Sequence, residues 1–106
     1  MIASVLVFVA LLGAPVSPIN SPAADDMNVA MERMHRDMMR PTTGDPDRDF
    51  AEMMIAHHEG AIEMAKVQLR HGKDEQLRRL AQGIIVEQQQ EIATMKRVLA
   101  ERAVRH

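Results

Sequence analysis

The segment Phe50-Ala51-Glu52-Met53-Met54-Ile55-Ala56-His57-His58-Glu59-Gly60-Ala61-Ile62-Glu63-Met64-Ala65 reads as amphipathic helix. Stepping it at about 100° per residue gathers Phe50, Met54, His57, Ala61, Met64, Ala65 and Gln68 into one arc. Glu52, Glu59, Glu63, Lys66 and Arg70 fall opposite. The arc directs His57 into the core and leaves His58 one step round, beside Met54 of the preceding turn. Phe50, His57, Met64 and His71 follow at intervals of seven, one line along a seam. Asp45-Pro46 supplies an N-cap and a proline at the first helical position, and Gly72 stops the helix after His71. His71 itself suits the negative C-terminus.

Two further helices flank this one. The first is expected from Asp25 to Arg40, with Asp25 and Asp26 at its positive end, Pro41 ending it and Thr42-Thr43-Gly44 as connector. Met27, Met31, Met34, His35 and Met38 share a face there, with Met39 beside it. The third begins near Lys73-Asp74 and runs almost to the end, burying Leu77, Leu80, Ala81, Ile84, Ile85, Ile92, Met95 and Leu99. Gln88 stands at the centre of that stripe and Glu91 at its border. A buried amide or carboxylate without a partner costs about 1–3 kcal/mol, so each needs a hydrogen bond or a metal. Without strand alternation, the fold class is all-α: an antiparallel helical bundle with three helices per chain.

The chain has 106 residues, enough for one small domain, and all 13 Lys+Arg and 15 Asp+Glu lie after residue 24. The two signs are interspersed, which is no footprint for nucleic acid. The uncharged residues 1–24 read as a signal peptide or hydrophobic leader, leaving 25–106 as a helical metal-binding domain. Ile2 to Leu12 is too short to span a bilayer but suits a signal-peptide core. Pro15 and Pro18 break it, and Ser21, Ala23 and Ala24 offer a cleavage site before Asp25. No Lys or Arg precedes the apolar run, so an uncleaved tether stands as the alternative. The absence of Cys fits an exported protein without disulfides. Two Phe, no Trp and no Tyr leave a thin core, which a bound metal or a second copy would reinforce. A homodimer through helices two and three would complete a four-helix bundle.

Ten Met and five His without thiolate suit a soft ion, Cu(I), with Ag(I) as its mimic. A Met stripe is also ordinary core filler, and a flexible Met face docks partner helices. His57 and His58 beside Met53 and Met54, with Met64 two turns on and Gln88 across the bundle, weigh toward metal. A di-iron carboxylate bundle needs two Glu-x-x-His motifs, and only Glu32 to His35 matches. His57-His58-Glu59 is not a zinc-protease motif, and no phosphate loop or nucleophile elbow is present, so no enzyme is expected.

The string Asp49-Phe50-x-x-Met53-Met54-Ile55-x-His57-His58-x-Gly60-Ala61-Ile62-x-Met64-Ala65, followed by Leu77-x-x-Leu80-Ala81-x-x-Ile84-Ile85-x-x-Gln88-x-x-Glu91-Ile92-x-x-Met95, resembles the His- and Met-containing bacterial family known as domain of unknown function 305. The resemblance implies a ferritin-like bundle, exported, with copper-binding members linked to copper resistance, and it marks Gln88 and Glu91 as motif positions. The chain departs from the pattern in ending soon after one copy and in having Arg97-Val98 where an aromatic often follows the last Met. The first helix lies outside the matched string.

The expectation is then a periplasmic or extracellular protein that sequesters Cu(I) or transfers it to a partner protein, with copper tolerance as its role. His57, His58, Met54 and Met64 are the foremost ligand candidates. Met53, Met95, Met34, His35 and Met38 are secondary or transfer ligands. Asp49, Gln88 and Glu91 would orient the imidazoles.

Overall fold

The computed structural model describes residues 2–7, 9, 13 and 21–105. The expectations for Leu11, Leu12, Pro15 and Pro18 lie outside that set. Three helices and no strand occur among the described residues: α1 (Pro22–Met38), α2 (Pro46–His71) and α3 (Glu75–Arg105). The all-α expectation holds. No helix among them is long and apolar enough to cross a membrane.

Local hydrogen bonding sets the helix ends. Ser21 accepts the Ala24 N–H at 3.1 Å and Pro22 opens the first turn, so α1 starts three residues before the expected Asp25. It stops at Met38 rather than Arg40, because Pro41 disfavours helical backbone in the residue before it. Asp45 caps α2 by accepting the Asp47 N–H at 3.1 Å, with Pro46 following. At the far end the Gly72 N–H donates to the Gln68 carbonyl at 2.7 Å. Asp74 accepts the Leu77 N–H at 3.0 Å and starts α3.

Both outer helices pack on α2 and not on each other. The buried apolar residues are mostly alanine: Ala30, Ala51, Ala56, Ala65 and Ala81, joined by Ile62, Val67 and Ile92. Small residues let backbones approach, and Gly60 shows how far. A Cβ there would lie 2.5 Å from the Met34 sulfur, so only glycine admits α1 at this distance. The larger side chains stay nearer the rim, and Phe50, expected in the core arc, is 63% exposed.

Polar contacts tie the ends together. Arg102 donates to Asp45 at 2.5 Å and Asp47 at 3.2 Å, joining the end of α3 to the start of α2. Arg78 donates to the Leu69 and Gly72 carbonyls at 2.7 and 3.1 Å, satisfying acceptors at the C-terminus of α2. His71 pairs with Asp26 of α1 at 2.8 Å, with Arg70 3.4 Å from the same oxygen. His71 therefore holds a neighbouring helix in addition to suiting its own helix end.

Candidate metal centre

Ala51, Met54, His58, Ala61, Ala65 and Gln68 repeat along α2 at alternating steps of three and four, as Leu77, Ala81, Ile84, Gln88, Glu91 and Met95 do along α3. Packed antiparallel, the two seams bring Glu91 opposite His58. The His58 ring is buried, and its Nε2 meets the Glu91 carboxylate. Its Nδ1 is buried with no hydrogen-bond partner among the described residues. The expected orientation of the histidine pair is thereby corrected: His58 faces α3, and His57 is exposed. Adjacent helical positions differ by about 100°, so only one of the two can face the partner helix. Their ring centroids stand 6.0 Å apart, inclined at 62°.

His58 lines an open cavity of about 540 Å³ with Phe50, Met54, Glu91, Thr94 and Met95. The structure thus brings together His58, Met54, Met95 and Glu91 of the expected set. Met64 and Gln88 line an adjacent cavity of about 290 Å³ with Leu77, Leu80 and Ile84. The Gln88 side-chain oxygen is also buried, with no partner among the described residues. The polar intrusion expected in the α3 stripe is real.

Other candidates go elsewhere. Met34 packs against Gly60 on the side of α2 that receives α1, away from α3. His35 is exposed, and Met38 and Met53 are half-buried. Asp49 does not orient an imidazole. Its carboxylate accepts the Thr43 N–H at 2.8 Å, the Thr43 hydroxyl at 2.7 Å and the Gly44 N–H at 3.0 Å, and so folds the α1–α2 connector back on α2. Gly44 has φ +90°, a left-handed backbone suited to glycine. The backbone N–H and hydroxyl of Thr43 hold the Asp49 carboxyl below its ordinary range. Glu87, Gln90 and Thr94 also line the His58 cavity and were not among the expected residues, although their helical spacing about Glu91 places them there.

No group of three or more His, Asp or Glu among the described residues is arranged to hold an ion. A site at His58 would draw on thioether sulfur, and the donors present fit that need. With Nε2–H donating to Glu91, the Nδ1 lone pair is left free, as in a metal-ligating histidine oriented by a carboxylate. Met54 and Met95 on the same cavity offer the soft sulfurs that suit Cu(I).

Comparison with known proteins bears on the family and not on the site. The chain is 38% identical over 60 residues to an uncharacterized protein of Acanthamoeba polyphaga mimivirus. That match spans 57% of this chain and 40% of the viral protein's length. The model of the domain of unknown function DUF305 matches residues 14–99, taking in α1 as well as the string from Asp49 to Met95. The first helix therefore lies inside the family pattern, contrary to the narrower expectation. With its match running through α1, α2 and most of α3, the chain belongs to the DUF305 family.

Proposed function

We propose that this protein binds Cu(I) through His58 Nδ1 and the thioethers of Met54 and Met95, with Glu91 orienting the ring. The observation that carries this reading is the buried Nδ1, without a partner among the described residues, of a histidine whose other nitrogen is held by a carboxylate. Bound copper is cargo: the protein sequesters it or passes it to a partner, and no catalytic step is assigned. The exposed His57 and the sulfurs of Met64 and Met53 serve as relay positions, with Met34, Met38 and His35 of α1 outside the His58 cavity. The uncharged N-terminal segment supports export to the periplasm or beyond, where copper tolerance is exercised.

Competition with a chromophoric Cu(I) chelator under reducing conditions tests the reading. His58→Ala should abolish tight binding, His57→Ala should retain most of it, and Glu91→Gln should weaken it by roughly 10- to 100-fold. Zn(II) bound as tightly as Cu(I), or a His58→Ala protein that competes as well as the parent, overturns the assignment.

A further inference from the structure

The groove between α1 and α2 has two unlike flanks. On one, Arg33 and Asp37 of α1 share a cleft with Glu59 and Glu63 of α2, and Arg70 lies 3.4 Å from Asp26. Asp37 lines a second cleft there with Glu52 and Glu59. Counted at about 100° per residue from the buried Ala30 and Ala56, Met31, His35 and Met38 of α1 fall on the opposite flank. Met53, His57 and Met64 of α2 fall there too, because in an antiparallel pair the same angular sense leads both helices to one side. The arcs that carry these six side chains hold no Asp, Glu, Lys or Arg.

Two contacts fix the register across the groove. Asp26 meets His71 at 2.8 Å, and Met34 sits over Gly60. Counting in opposite directions from the two contacts brackets His57 as the level of Met38. His35 lies three residues, about 4.5 Å, back along α1, and Met38 leans toward it because helical side chains tilt toward their N-terminus. The close approach at Gly60 brings the two helices near enough for side chains on a shared flank to meet. Met38 is half-buried and both imidazoles are exposed, so the donors are reachable from solvent.

We infer that His35, Met38 and His57 hold a second soft monovalent cation, Cu(I) or Ag(I), in this groove. Two imidazoles and a thioether with no carboxylate beside them suit such an ion better than Zn(II) or Mg(II). Packing does not call for sulfur here, since Ala30, Ala56 and Gly60 already make the buried contact between the helices. Because Met38 and His57 belong to different helices, a bound ion clamps α1 onto α2. The site extends the soft-ion chemistry of the proposed function but shares no donor with the His58 centre, so either stands without the other.

The probe is Ag(I), titrated in chloride-free buffer into the full-length protein while methionine methyl and histidine ring signals are followed by NMR. The parent should bind two equivalents and the His58→Ala protein one, which shifts His35, Met38 and His57. Met39 is 84% exposed and should not move. In the His58→Ala background, Met38→Leu keeps the bulk and removes the sulfur, and it should weaken binding at least tenfold without lowering the metal-free melting temperature. Ag(I) should also slow amide exchange across residues 22–38, and Met38→Leu should abolish that slowing. No binding by the His58→Ala protein, equal shifts at Met39, or a Met38→Leu protein that binds as tightly as its parent overturns the second site. His57→Ala changes an exposed residue and should leave one equivalent at His58, Met54 and Met95 with Met38 unshifted; a Met38 shift that persists also overturns it. A His58→Ala protein that still binds two equivalents overturns the His58 centre and leaves this site in place.

Discussion

The two interfaces of α2 are built on different principles. Against α1 it offers a shallow groove at Ala56 and Gly60, entered by Met34 and tied at one end by the surface cluster of Asp26, Arg70 and His71. Against α3 it offers a long regular seam, tied by arginine at both ends, with the His58–Glu91 contact inside. The first depends on one close approach, whereas the second spreads its contacts over many turns. A histidine inside the longer seam can be oriented by its neighbours, and no α1 residue lines its cavity. The candidate centre accordingly lies between α2 and α3.

The largest expected effect comes from the longer seam. Ile92→Ala empties a buried position in α3 and should destabilise the protein by about 2–5 kcal/mol, read as a lower denaturant midpoint. Amide exchange should quicken in α2 and α3 together. If it quickens in α3 alone, the two helices are less cooperative than the seam implies.

Gly60→Ala tests the shallower contact. The added methyl meets the Met34 sulfur and Cβ, at 2.5 and 2.7 Å, and overpacking of this kind costs about 1–3 kcal/mol. Exchange should rise across residues 22–38 while α2 and α3 keep their protection, and Met34→Ala in the same chain should relieve part of the clash, since it removes the sulfur but keeps the Cβ at 2.7 Å. Uniform destabilisation would show α1 to be integral to the bundle rather than an addition to it.

Acid should separate the interfaces by a smaller margin. The hydrogen bond from His71, aided by Arg70, holds the Asp26 carboxyl below its ordinary range in the folded chain. The unfolded chain thus takes up the proton first as pH falls. The contribution is fully present above the ordinary carboxylate value of about 3.9 and is lost as pH drops through the lower folded value. Far-ultraviolet dichroism against pH should show α1 loosening in that range. Asp26→Asn should flatten this part of the profile, and an unchanged profile would remove Asp26 from the account. Asp45, lowered chiefly by its bond from Arg102, has the same sign at the other interface.

The helix ends were legible because their causes are local. A cap and its N–H lie within a few residues, so Asp45-Pro46 and the start near Asp74 could be read directly, and the early start of α1 at Ser21-Pro22 follows the same rule. Gln88 and Glu91 also stood out in advance as polar residues in an apolar stripe. The two had different outcomes: Glu91 found His58, and Gln88 found no partner among the described residues.

What the sequence by itself determined was three helices, the ends of α2, the start of α3 and a store of imidazole and thioether donors, since periodicity and capping act over one or two turns. Only the tertiary structure decided that His58 rather than His57 is enclosed, that Asp49 closes a connector and that His71 reaches Asp26. Apolar residues spread widely round α2, so several faces were acceptable to α3. The choice fell to where small side chains let backbones approach, at Ala51 and Ala65 for α3 and at Ala56 and Gly60 for α1. That choice depends on surfaces far apart in sequence fitting each other, which no local pattern encodes.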